Sequence, residues 1–276
     1  HTCALTTAGS IKCWGGNEYG QLGDNTAINR SIPVPVSGLA DGHIANNDAG
    51  DLVSWQTLTY TNPLPARTPF TLTVRAGNTA DTDDDGHWSA WVTLDDSPAD
   101  LSTLPPSRYL QVRAASTTEL PTAFDLGVLT WDSFTYTPKS GVLNTNTTWP
   151  AVGSPYVITG TLVVAQNRTL TLEPGAELWF RDQGRLQVRG GLIALGTPSQ
   201  PITLTSWHVG KQPGDWRGVV FESTAISSTI DSAGAYVRGA ALQQTVVEYA
   251  GYGSNYAIDG PNTVLFVDYS TISHHS

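Results

Sequence analysis

Apolar and polar residues alternate with a period of two along much of the chain. Phe70, Leu72 and Val74 alternate with Thr71, Thr73 and Arg75. Leu170 and Leu172 alternate with Thr169, Thr171 and Glu173, and Leu186 and Val188 with Arg185, Gln187 and Arg189. On an extended backbone such alternation puts one set of side chains on one face. Each segment is therefore predicted as a half-buried strand. No segment sustains the 3.6-residue apolar period of a helix. The expected fold class is all-β.

Composition supports strands joined by many turns, since 27 Gly and 17 Pro punctuate the 276 residues. Two stretches rich in small and turn-forming residues, 37–50 (SGLADGHIANNDAG) and 137–155 (TPKSGVLNTNTTWPAVGSP), read as joints. They divide the chain into expected modules at 1–42, 43–138 and 139–276. The net charge of -10 argues against nucleic acid or an anionic membrane as the main partner. No apolar run approaches the ~18 residues of a membrane-spanning helix.

The opening segment is dense in Gly, Trp and Cys. It carries His1–Leu5 (HTCAL), Gly9, Cys13–Gly15 (CWG), Asn17, Gly20–Asp24 (GQLGD), and then Ser31, Pro33, Pro35 and Val36. It resembles one repeat of the RCC1-type β-propeller family. A single blade of this size buries too little apolar surface to stand alone. The expectation is a remnant of a longer array, and so a chain that is a piece of a larger protein. One blade carries no implication of nucleotide exchange.

The middle module has Trp55, Trp88, Trp91 and RYLQVRA at 108–114 within short strand-like runs. It resembles the β-sandwich modules of secreted bacterial proteins. The third module contains LTLEPGAELWF (170–180), LQVRGGLIALGT (186–197), PITLTSW (201–207), GDWRGVVF (214–221), VVEYAG (246–251) and VLFVDYSTISHHS (264–276). It resembles a right-handed parallel β-helix of the pectate-lyase-like superfamily. That resemblance implies strands stacked about 4.8 Å apart on successive coils. No closing cap is visible after the last strand-like run, so truncation is expected at the C-terminal end too.

Several residues are candidates for chemistry. Cys3 and Cys13 fall opposite each other if Thr7, Ala8 and Gly9 form a three-residue hairpin loop, which predicts a cross-strand cystine. The alternative is two reduced, packed thiols. Asp81, Asp83 and Asp85 followed by Gly86 have the spacing that opens a calcium loop. The twelfth position, Val92, lacks the carboxylate such a loop uses, so a solvated acidic turn is the alternative. Trp88 and Trp91, and Tyr249, Tyr252 and Tyr256, are candidates for stacking on sugar rings, with plain packing as the alternative. Asp259 and Asp268 would form the best catalytic pair if they lay on neighbouring coils.

The expected function is that of a noncatalytic binding or adhesion scaffold for glycan or protein. It would belong to a secreted or surface-exposed multi-module bacterial protein, with calcium as a possible cofactor and no membrane insertion. The rivals are a polysaccharide lyase or glycosidase with its site on the β-helix, and a purely structural stalk.

Overall fold

The computed structural model describes residues 1–5, 11–18, 22, 28–35, 43–60, 70–81, 84–116, 126–253, 256–260 and 262–275. The chain is all-β, as the alternation predicts. It divides into two compact units. One comprises His1–Asp81 and Trp88–Phe134, the other Thr82–His87 and Thr135–Ser276.

In the first unit, strands Thr2–Leu5, Ile11–Gly15 and Arg30–Pro35 form an antiparallel sheet. Cys3 stands directly across from Cys13, and the two are joined by a disulfide with their Cα atoms 4.1 Å apart. The Asn17 side chain accepts a hydrogen bond from the Leu22 N–H at 2.8 Å. That bond holds the fully buried Leu22 in place.

Among the described residues, the strands of the middle stretch are hydrogen-bonded into a six-stranded antiparallel sheet. The cause is the 16-residue strand His43–Leu58. Its first half pairs with Ser107–Ser116 and its second with Leu129–Ser133, with a break in register between Asp48 and Val53. At that break Asp48 accepts a hydrogen bond from the Gly50 N–H at 2.8 Å, and Gly50 has φ of 83°. The stretch 43–50, expected as a joint, is thus strand. Val53, Trp55, Leu72, Val74, Leu110 and Val112 lie in the core of this sheet.

Phe70–Gly77 departs from the half-buried expectation, because Thr73 and Arg75 are buried along with Leu72 and Val74. Arg75 is tolerated there because Nε donates to Gln111 Oε1 at 2.5 Å and its guanidinium lies 4.6 Å from the Trp91 ring centroid.

The second unit is a solenoid of parallel strands, whose first strands, Thr137–Leu143 and Thr147–Trp149, lie inside the stretch expected as a joint. Its repeating register stacks like on like. Leu162 pairs with Leu186 and Leu186 with Val219. Leu170 pairs with Leu192, and Leu178 with Leu204. These side chains form one continuous buried core, each worth about 1.5–3 kcal/mol relative to an exposed position.

The strand Tyr156–Val164 shows how the faces arise. Its first part pairs with Glu177–Phe180 and its last with Arg185–Val188. Gly160, at φ 146°, lies between the two parts. One turn later the same corner is the four-residue segment 181–184, and the turn after that it widens to 207–217. A third face holds Thr169–Leu172, Gly191–Leu195, Ala241–Gln243 and Phe266–Asp268.

Candidate functional site

The widened corner collects the polar chemistry of the solenoid unit. Ser206 Oγ donates to Asp215 Oδ2 at 2.5 Å, and the Gln212 N–H donates to the same oxygen at 3.0 Å. Asp215 Oδ1 meets His87 Nε2 at 2.9 Å, while His87 Nδ1 meets Asp84 Oδ2. A carboxylate on each ring nitrogen is satisfied only when both nitrogens carry protons. Burial disfavours that charge, but the hydrogen bonds and charges of Asp84 and Asp215 outweigh it, and the His87 pKa is raised.

Beside it His208 lies with its ring centroid 4.0 Å from that of His87. His208 Nε2 meets Asp182 Oδ1 at 2.5 Å. That bond holds the Asp182 carboxyl below its ordinary pKa. The buried His208 Nδ1 has no hydrogen-bond partner among the described residues.

This network joins a hydroxyl to a carboxylate and the carboxylate to an imidazole. A nucleophilic triad needs the imidazole next to the hydroxyl. Ser206 is also 1% exposed. The arrangement can pin the corner in place; it is not built for acyl transfer.

Outside the network lies a row of cations and rings. Lys211 Nζ donates to Thr205 Oγ1 at 2.9 Å and stands 5.7 Å from the Tyr249 ring centroid. Thr205 Oγ1 in turn donates to Glu248 Oε1 at 2.8 Å. Tyr249 stacks on His274 at 4.9 Å. Both follow directly on paired strands and have left-handed φ, 61° and 51°. That conformation is rare for bulky residues. The Arg217 guanidinium lies 5.8 Å from the Tyr252 ring centroid. Tyr252 and Tyr256 are 45% and 63% exposed.

At the far end of the strands that leave this corner lies a groove of about 390 Å³. Val142 and Val163, paired on successive turns, give it an apolar wall. Asn144, Arg189, Glu222 and Thr224 give it a polar rim. Gln187 is buried, and its Nε2 donates to Glu222 Oε1 at 2.5 Å, which fixes the carboxylate.

Residues 141–270 match the pectate-lyase like beta helix domain. Residues 1–21 match the regulator of chromosome condensation (RCC1) repeat. No solved structure matches the chain. The parallel solenoid and the family match agree on a β-helix, and the N-terminal match agrees with the single RCC1 repeat read from the sequence.

The sequence-selected residues fare differently in the two units. Trp88 is buried, its Nε1 donating to the Asp81 carbonyl at 2.9 Å. Trp91 is half-buried with the guanidiniums of Arg75 and Arg113 over its ring, at 4.6 and 4.3 Å. Of the acidic loop, Asp83 lies outside the described residues, Asp81 is exposed, and Asp85 opens the 3₁₀ turn Asp85–His87. Asp84, in the same loop, binds His87. Among the described residues no three His, Cys, Asp or Glu side chains are arranged to hold a metal ion.

Asp259 and Asp268 would form a catalytic pair only if they lay on neighbouring coils. They lie on one turn and on two different sheets, Asp259 beside Val220 and Asp268 beside Gln243. Eight residues separate them, and they do not stack on one another within a sheet. The network of Asp84, His87, Asp182, His208 and Asp215 has no local signature. Its longest contact, His87 to Asp215, spans 128 positions.

Proposed function

We propose that the chain is a noncatalytic binding or adhesion scaffold of a secreted or surface-exposed multi-module bacterial protein, with its β-helix holding a glycan. The observation that carries this reading is the corner where Tyr252 and Tyr256 stand exposed and Arg217 lies over the Tyr252 ring. Exposed aromatic faces stack on the C–H face of sugar rings, and a neighbouring guanidinium donates to their hydroxyls. The Ser206–Asp215–His87 network pins Asp215, and the Tyr252 N–H donates to the carbonyl of the next residue, Trp216, at 3.0 Å, which favours a platform ordered before any ligand arrives. The Cys3–Cys13 disulfide fits an oxidising compartment. The reading holds with or without calcium on the 81–85 loop.

The test is retention on immobilised polysaccharides. The parent chain is expected to be retained on at least one, and Tyr252→Ala and Tyr256→Ala to elute earlier with unchanged melting temperatures. Equal retention of parent and variants would remove the tyrosines from the reading. Retention on a protein ligand instead would replace the glycan.

A further inference from the structure

The geometry points to a second saccharide site in the groove between Val142, Val163, Arg189 and Glu222, one selective for neutral sugars. It rests on the reading of the β-helix as a glycan-binding scaffold, and it names a separate site and the sugar class. The groove and the tyrosine corner lie at opposite ends of the strands Arg185–Val188 and Gly218–Phe221.

Three features of the groove fix the ligand class. Its volume of about 390 Å³ lies within the range of small-molecule sites. Its wall is apolar where Val142 and Val163 stack. Its rim sets a donor-only group, Arg189, near an acceptor-only group, Glu222, with the amide of Asn144 able to do both and the hydroxyl of Thr224, whose proton goes to the Arg189 carbonyl, able to accept.

A small anion would satisfy Arg189 and be repelled by Glu222. An ammonium group would meet the reverse. A sugar ring presents one C–H face to the valines and hydroxyls at its edge, each able both to donate and to accept. It answers the whole rim without leaving a charge unmatched. The carboxylate is positioned in advance, since Gln187 is buried and holds Glu222 at 2.5 Å. Thr224 is tied down too, its Oγ1 donating to the Arg189 carbonyl at 3.0 Å. A uronic acid would set its own carboxylate against Glu222 and bind less well.

The test is calorimetric titration of the 276-residue chain with cellotetraose, mannotetraose and trigalacturonate. At least one neutral tetraose is expected to bind, with trigalacturonate about tenfold weaker. Arg189→Ala and Glu222→Gln should each weaken that binding about tenfold, with melting temperatures like the parent's. Trigalacturonate binding as tightly as the tetraoses would overturn the selectivity. No binding of either tetraose would overturn the site. If binding survives both groove variants but is lost in Tyr252→Ala, the sugar sits on the tyrosine corner. The groove site is then wrong, and the scaffold reading stands.

Discussion

The indole of Trp216 lies flat on the phenyl ring of Phe180, with centroids 3.9 Å apart and planes 7° from parallel. Phe180 ends a strand on one turn of the solenoid, and Trp216 belongs to the widened corner of the next. Both are fully or almost fully buried, and Trp216 Nε1 donates to the Glu248 carbonyl at 2.8 Å. One side chain thus ties three successive turns together at the corner where Arg217 and Tyr252 are displayed.

Trp216→Ala is therefore expected to lower stability by about 3–5 kcal/mol, the usual cost of emptying a buried aromatic site. Trp216→Phe keeps the stacking and loses the hydrogen bond, at about 1 kcal/mol. Urea unfolding curves with equal slopes would give both values. A Trp216→Ala midpoint close to the parent's would mean that the stack does not hold the corner.

The His87 network predicts a pH dependence. The folded pKa of His87 is raised by Asp84 and Asp215 against the opposing effect of burial, with His208 and Asp182 as its other titratable neighbours. Its contribution is then complete below the ordinary histidine value of about 6.5. It is lost as pH rises through the raised folded value. Asp182 is shifted down by His208, so its contribution is present above about pH 4 and lost as pH falls through the lowered value. Because Asp182 is largely exposed, the acid loss should be the smaller. Melting temperature should peak between about pH 4 and 6.5 and fall on the alkaline side. His87→Gln should flatten the alkaline fall, and an unchanged profile in that variant would count against the network.

How far the fold was legible depends on where its information lies. Leu170 and Leu172 alternate because each stacks on a counterpart, Leu192 and Ala194, one turn on. That rule is local and can be read residue by residue. Gln187 and Arg75 break it. Both are polar at outward positions yet buried, because distant partners, Glu222 just after a strand of the next turn and Gln111 on a neighbouring strand, cover them. The His87–Asp215 contact spans 128 positions, and no spacing rule connects its ends. A weaker signal was present in GDWRG, where an acid and a tryptophan interrupt a strand pattern at 214–218. Asp259 and Asp268 are only nine positions apart, whereas Leu170 and its counterpart Leu192 one turn on are 22 apart, so the two aspartates fall on successive sheets and not on stacked positions.

The Cys3–Cys13 disulfide closes a loop of about 11 residues, which in the chain-entropy model stabilises the hairpin by about 2.5–3 kcal/mol. Material produced under oxidising conditions should show no thiol titre before reduction and two after it. Reduction should make the 1–35 region the first to exchange its amide hydrogens. Two thiols titrating in the folded, unreduced chain would contradict the pairing.

The most direct measurement of the scaffold reading sets binding and turnover side by side. The chain is incubated with the polysaccharide that retains it, and with acidic polysaccharides, with and without calcium, while reducing ends and unsaturated ends are followed. The predicted result is retention with no release of either kind of end. Turnover that disappears in Asp259→Ala or Asp268→Ala would contradict it and make the β-helix an enzyme.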